Sequence, residues 1–264
     1  MITKNNRKLK SLVKNHDAVL ILENGKVFWG YGIGFKGQSL GEICFNTSMT
    51  GYQEIITDPS YANQIINFTF PHIGVVGTNI NDNESKNPIA SGIIVREISN
   101  FDSNYRSDKS FNTWLKDKKV MGIKGIDTRS ITSMIRNEGF LNGMIINEEI
   151  KDNTISDALK KIRSWKGINN IDLASKISTK IEYNWSEKTY NISKNKHEPS
   201  NKGNKIKKRS IIVIDYGVKH NILRMLAERN FNITVVPSNT SYKNIMKHKP
   251  VGVFLSNGPG DPYA

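Results

Sequence analysis

The spacing of apolar and polar positions in the first half of the chain predicts short strands joined by turns. An Asn24-Gly25 pair separates two apolar stretches, and such a pair favours a tight β-hairpin. Residues 41–47 predict another strand, and residues 90–98, rich in isoleucine and valine, predict a third. This half of the chain is therefore expected to be rich in β-structure.

Helical spacing appears at two places in the same half. Residues 110–119 predict a helix with Ser110 as its N-cap, because a serine side chain can accept a free backbone N–H. Residues 128–139 predict a second helix that ends at Gly139, since glycine readily takes the conformation that follows a helix.

The last third of the chain alternates apolar strands with amphipathic helices. This order predicts a parallel sheet with right-handed crossovers, the opening half of a doubly wound α/β domain. The first strand is a continuous β-branched run, which is typical of a strand buried on both faces. The predicted elements are strand 210–217, helix 218–230, strand 231–239, helix 241–249 and strand 250–258.

Composition limits the class of protein. The chain has 264 residues, of which 37% are hydrophobic, and no stretch approaches the ~20 apolar residues of a membrane span. The first residues are basic without the apolar segment of a secretory signal. With Cys44 as the single cysteine, neither an internal disulfide nor a multi-cysteine metal site is expected. We expect a soluble cytoplasmic protein that is not inserted in a membrane.

The net charge of +14 is concentrated in two segments. Residues 1–14 hold five Lys/Arg and no acid, and residues 194–209 hold seven Lys/Arg against one Glu. These segments account for eleven of the fourteen charges, so solvated charge runs explain the excess better than a nucleic-acid surface. The expected organisation is a basic tail (1–17), an N-terminal domain (18–185), a basic linker (186–209) and a C-terminal domain (210–264).

Two loops after predicted strands are candidate binding sites. Asp215 and Gly217 form a turn into a helix. A structural corner in which Asp215 caps a backbone amide is favoured over an anion-binding site. One glycine is too few for a dinucleotide-binding fingerprint. Gly258 and Gly260 permit close backbone approach, and Pro259 has no N–H. The Gly260 amide is then the available donor for an oxyanion, although a plain tight turn fits the same spacing.

Three single side chains are candidates for functional groups. Ser60 follows an Asp-Pro pair in the stretch 44–79, which is predicted to be rich in loops; its hydroxyl either binds a polar ligand or caps the local backbone. His72 has no evident partner and is interpreted as structural. Cys44 stands in the middle of a predicted strand, which indicates an inert buried thiol rather than a nucleophile.

Four segments, in order, closely resemble the small, glutamine-hydrolysing subunit of carbamoyl-phosphate synthetase. The similarity runs from about Ala18 to Pro262. The last segment alone would indicate only a class I glutamine amidotransferase. The segments are residues 45–79, 125–139, 215–226 and 254–262.

The resemblance implies a β-rich α+β N-terminal domain that docks on the large synthetase subunit, followed by the first half of a doubly wound, flavodoxin-like amidotransferase domain, α/β overall. It implies hydrolysis of L-glutamine, with the ammonia passed to the large subunit and combined with bicarbonate and ATP for arginine and pyrimidine synthesis. Ser60, Gly258 and Gly260 would bind glutamine, with Gly260 as the oxyanion donor. No cofactor or metal is expected in this chain, since ATP and Mg belong to the partner; the compartment would be cytoplasm or plastid stroma.

The sequence departs from the family in its chemistry. The family's nucleophilic cysteine, in a G-x-C-x-G-H-Q elbow, and its His–Glu pair are not among the 264 residues. We expect them beyond Ala264, with the chain a C-terminally truncated, inactive copy. The alternative is a non-catalytic docking or regulatory module for the large subunit, and nucleic-acid binding ranks third.

A half-built α/β domain also has a physical consequence. Three strands with their helices are too few to cover both faces of a parallel sheet. Ile211, Val213 and Val235 are therefore expected to stay partly wet, and the C-terminal domain to be marginally stable.

Overall fold

The computed structural model describes residues 15–200 and 209–264, which form two compact units. The division falls at Ile168 and not at the boundary expected near residue 185. Residues 1–14 of the predicted tail lie outside the described residues. The second unit comprises Thr57–Ala62, Asn81–Asn87 and Ile168–Ala264, and the first comprises the rest.

The first unit is built on a closed β-barrel. Its strands are β1 (Ala18–Leu22), β2 (Val27–Gly34), β3 (Gly37–Asn46), β4 (Gln64–Phe68), β6 (Gly92–Ile94), β8 (Met121–Lys124) and β9 (Leu141–Asn147). They pair in the order β1-β2-β8-β6-β4-β3-β9, and β9 pairs with β1 to close the ring. A separate parallel pair is formed by β5 (His72–Ile73) and β7 (Glu97–Ile98).

The hairpin predicted at Asn24-Gly25 is confirmed, with β1 and β2 antiparallel and Gly25 at a φ of 85°. The strand predicted over 41–47 lies within β3. The strand predicted over 90–98 is divided into β6 and β7. Every side chain of β1 is buried, because alternate residues enter two different apolar clusters.

Within residues 16–165 the structure has four α-helices: α1 (Tyr52–Thr57), α2 (Phe111–Asp117), α3 (Thr128–Glu138) and α4 (Thr154–Ser164). α2 and α3 confirm the two predicted helices, and Gly139 ends α3 at a φ of 88°. Ser110 occupies the N-cap position of α2, but its side chain makes no capping hydrogen bond.

The stretch 44–79 is more regular than predicted. Besides α1, β4 and β5 it contains a short 3-10 helix, Pro59–Tyr61. Its density of Thr, Ser and Gly led to a loop-rich prediction, whereas the apolar residues of β4 are what decide the structure, since four of its five residues are buried.

The second unit contains a four-stranded sheet in the order β10-β14-β13-β15. β13 pairs in parallel with both β14 and β15, as predicted, and β10 adds an antiparallel edge. The elements are β10 (Tyr183–Trp185), β13 (Arg209–Asp215), β14 (Phe231–Pro237), β15 (Gly252–Leu255), α5 (Ala174–Ile177), α6 (His220–Glu228) and α7 (Tyr242–Lys247).

The predicted linker is largely structured. Within 186–209, β11 (Glu187–Asn191) and β12 (Lys196–Pro199) form an antiparallel pair. Polar contacts with α6 hold this polar hairpin. Arg224 Nε on α6 donates to Glu187 Oε1 at 2.7 Å, and Thr189 Oγ1 donates to Glu228 Oε2 at 3.1 Å. Residues 201–208 of the predicted linker lie outside the described residues.

The expectation that three residues of the sheet stay wet is wrong. The exposed fractions of Ile211, Val213 and Val235 are 7%, 0% and 0%. α6 covers their face, and Tyr183 and Trp185 of β10 extend the same cluster. On the other face of the sheet, Ile245 of α7 is buried with residues of β13 and β14.

Candidate functional site

Asp215, at the carboxyl end of β13, organises the turn that leads into α6. Its Oδ1 accepts the backbone N–H of Gly217 at 2.8 Å and of Val218 at 2.9 Å, and its Oδ2 accepts the N–H of Thr179 at 2.7 Å. The side chain is buried. A carboxylate with both oxygens occupied by backbone donors is a structural cap, which confirms the preferred interpretation of this loop.

The loops after β13 and β15 pack against each other through glycines. A Cβ on Gly258 would lie 2.5 Å from the carbonyl oxygen of Tyr216, and a Cβ on Gly217 would lie 3.0 Å from Cδ of Pro259. Gly217 also has a φ of 114°, a conformation that favours glycine. These two positions therefore need glycine for space.

The loop after β15 presents an unused backbone donor. Gly260 has a φ of 82°, and its N–H meets no acceptor among residues 15–200 and 209–264. The next residue is fixed, because the carboxylate of Asp261 accepts the N–H of Tyr263 at 2.9 Å and of Asn170 at 3.1 Å. Those two N–H groups lower the pKa of the Asp261 carboxyl below its ordinary value. The loop is thus held in place, and the Gly260 amide is one of several N–H groups in it that meet no acceptor within residues 15–200 and 209–264.

A cleft of about 460 Å³ opens beside this loop. Gly258 and Gly260 line it, together with Tyr216 and with the residues that begin α5. Among these, Asp172 accepts the N–H of Ser175, and the hydrogen bonds from Ser175 lower the pKa of its carboxyl. The predicted glycines therefore share one cleft, at the carboxyl edge of the sheet where α/β folds bind ligands.

Ser60 belongs to the second unit, together with both glycines. It lies in the 3-10 helix, whose N-cap Asp58 accepts the Ser60 N–H at 2.9 Å. The other Asp58 oxygen lies 2.6 Å from Lys219 Nζ. The backbone of Ser60 is therefore capped locally, while its hydroxyl points to another partner. Ser60 is not among the residues that line the cleft.

That partner is Asn257, a site residue that is not predicted from the sequence. Its Nδ2 donates to Ser60 Oγ at 3.2 Å and to the carbonyl oxygen of Gly217 at 3.2 Å. Asn257 thus joins the serine turn to the loop after β13. Its place after an apolar strand and before two glycines was the available signal, but a partner 197 residues away cannot be found from spacing.

Cys44 and His72 lie in the first unit, and neither lines the cleft. The Cys44 thiol donates to the carbonyl of Ile65 at 3.8 Å. Burial, reinforced by the Glu42 carboxylate, raises the pKa of this thiol to about 12. His72 is exposed on β5. A thiol held protonated has no nucleophilic character, so Cys44 fits its interpretation as inert.

Two properties of the described part of the chain concern metals and membranes. Within residues 15–200 and 209–264, no three His, Cys, Asp or Glu side chains are grouped so as to hold a metal ion. None of the helices in this part combines the length and the apolar character needed to cross a bilayer.

Comparison with known proteins matches both units. The family model for the CPSase domain of the carbamoyl-phosphate synthase small chain matches residues 20–145, and that for class-I glutamine amidotransferases matches residues 212–264. The carbamoyl phosphate synthase small chain of Buchnera aphidicola subsp. Schizaphis graminum is 49% identical over 250 residues, covering 93% of this chain and 63% of the relative. That of Zymomonas mobilis is 46% identical over 245 residues, covering 93% and 64%. The chain thus spans a little under two thirds of the length of these curated relatives.

Proposed function

Because the chain belongs to the carbamoyl-phosphate synthase small chain family, we propose that its second unit forms the glutamine-binding part of an amidotransferase site. The observation that carries the proposal is the Gly260 N–H, which meets no acceptor in the described part of the chain and lies beside a cleft at the carboxyl edge of the sheet. Gly258 gives the substrate close access to the backbone. Ser60 is proposed as a side-chain ligand of the same glutamine.

The proposed chemistry is acyl transfer to a thiolate. The sulfur attacks the γ-carbonyl carbon of glutamine, the carbonyl electrons move to oxygen, and the Gly260 N–H stabilises the resulting oxyanion. The oxyanion electrons then return to carbon and the C–N bond breaks, while the nitrogen takes up the proton that the thiol gave up and leaves as ammonia. Water hydrolyses the resulting thioester to glutamate and regenerates the thiol. A donor of this kind is worth on the order of 3 kcal/mol in a transition state. Cys44 is unsuited as the thiolate, so we place the nucleophile in the part of the relatives' length that this chain does not span.

The proposed partner is a large synthetase subunit. It would receive the ammonia and make carbamoyl phosphate from bicarbonate and ATP, for arginine and pyrimidine synthesis. ATP and Mg would be bound by that subunit. The support is the family match of residues 20–145, the larger part of the first unit.

The test is to express the complete coding region that contains these 264 residues, alone and with the large subunit. We expect release of glutamate from L-glutamine and glutamine-dependent carbamoyl phosphate synthesis. Ser60→Ala should raise KM for glutamine about 10-fold, the effect of losing a hydrogen bond to a charged ligand, while ammonia-dependent synthesis persists. Ser48→Ala, at an exposed position, is the matched control.

A complete product that binds the large subunit without releasing glutamate would contradict the proposal. It would leave the non-catalytic docking module as the better account.

A further inference from the structure

The side chain of Asn257 connects two polar groups of the second unit by hydrogen bonds. Both hydrogens of its amide are used within the second unit, one on the Gly217 carbonyl and one on Ser60 Oγ, each at 3.2 Å. Ser60 is otherwise fixed: its N–H is capped by Asp58, and Pro59 at its N-terminal side lies against Gly217. These contacts fix the backbone of Ser60 and leave open only the direction in which its O–H bond points.

The direction of the Asn257 amide is imposed by a backbone carbonyl. The oxygen of Gly217 can only accept a hydrogen bond, so the atom of Asn257 that faces it must be the nitrogen. A flipped amide would place two oxygens against each other. The cost of this arrangement is visible in Asn257 Oδ1, which is buried without a partner in the described residues.

Because the orientation of the Asn257 amide is fixed, it decides whether the Ser60 oxygen accepts or donates in the hydrogen bond between them. Because Nδ2 of Asn257 donates to Ser60 Oγ, that oxygen serves as the acceptor in this contact. The hydroxyl hydrogen then points elsewhere, and Ser60 Oγ makes no second hydrogen bond within residues 15–200 and 209–264. A serine held in this way presents a donor to a ligand.

We infer that Asn257 is a positioning residue that makes Ser60 a hydrogen-bond donor towards an acceptor oxygen of the substrate. This inference rests on the proposed glutamine site. It specifies the chemistry at one contact: Ser60 meets a carboxylate or carbonyl oxygen of the substrate and not its ammonium group. It also predicts that Ser60 and Asn257 act as one unit.

The test is a double-mutant cycle in the complete protein paired with the large subunit, with KM and kcat for glutamine hydrolysis measured. Ser60→Ala and Asn257→Ala should each raise KM about 10-fold with kcat nearly unchanged. The double variant should also show about a 10-fold rise, and not the ~100-fold rise of independent sites. Asn239→Ala, at an exposed position after β14, is the matched control and should leave KM unchanged.

A second variant addresses polarity and guards against a folding defect. In Asn257→Asp the side chain keeps its size but cannot donate to Gly217 or to Ser60, and the Ser60 hydroxyl donates to the new carboxylate instead. Its KM should rise at least as much as that of Asn257→Ala. A wild-type KM in Asn257→Asp would overturn the inference.

Multiplicative effects in the double variant would also overturn it while the glutamine site stands. A wild-type protein that releases no glutamate would remove the proposed function itself, so the two failures are distinguishable.

Discussion

The barrel of the first unit and the open sheet of the second bury their strands to different extents. All five residues of β1 have an exposed fraction of 0%, because the strand has a neighbour on each side and apolar clusters on both faces. β15 pairs only with β13 in the described part of the chain, and Val253 and Leu255 remain 46% and 64% exposed.

This difference in burial corresponds to a difference in role between the barrel strands and the open sheet. A closed barrel has no free edge, and its strand β1 is an apolar run whose role is burial. An open parallel sheet leaves the carboxyl ends of its strands free, and the loops after β13 and β15 carry the polar groups of the candidate site. The two units thus put similar apolar strands to different uses.

The largest expected effect tests the burial side of this comparison. Ile65→Ala, at a position on β4 with 0% exposure, should lower the free energy of unfolding of the barrel by about 2–5 kcal/mol. Leu255→Ala on the exposed edge of β15, tested in the 264-residue chain, should change the free energy of unfolding of its own unit by about 0.5 kcal/mol or less. Both changes in free energy of unfolding can be measured by amide hydrogen exchange, on β4 for the first unit and on β13 for the second. Equal losses in the two variants would break the comparison.

Much of this contrast could be predicted from the sequence, but closure could not. The Asn24-Gly25 turn, the end of α3 at Gly139 and the alternation after residue 210 are local signals that the structure confirms. The ring of the barrel depends on β9 returning to β1, a pairing more than a hundred residues apart that no local pattern encodes.

Two other features lay beyond the sequence for a different reason. The hairpin of β11 and β12 has the composition of a linker, and it is ordered by partners on α6 that composition does not reveal. The link from Ser60 to Asn257 depends on tertiary contact. The turn that contains Gly258 and Gly260 was predictable, because an apolar strand followed by a glycine turn is itself a local pattern.

The second effect concerns how the open sheet is covered. His220 at the start of α6 lies against Trp185, with ring centroids 4.9 Å apart. Burial, reinforced by the Arg224 guanidinium, lowers the pKa of His220 from 6.5 to about 4. Between pH 6.5 and 4, His220 is therefore protonated in the unfolded chain but stays neutral in the folded unit. The second unit should therefore lose up to about 3 kcal/mol of stability as the pH falls through this range.

His220→Gln is the variant that isolates this contribution. We expect urea unfolding of the second unit to become less sensitive to pH between 6.5 and 4 than in the wild type. His72→Gln, at an exposed position of the first unit, is the matched control. The same pH dependence in the wild type and in His220→Gln would show that this histidine stays accessible to protons when folded.

The smallest expected effect sharpens the division between burial and chemistry. Cys44 is the single cysteine, yet with a pKa of about 12 only about one thiol in ten thousand is ionised at pH 8. Cys44→Ala in the complete protein should therefore leave kcat and KM for glutamine within about twofold of the wild type. Iodoacetamide should label Cys44 readily only after unfolding. Rapid labelling of the folded chain, or loss of glutamine hydrolysis in Cys44→Ala, would assign chemistry to the barrel and remove the distinction between the two units.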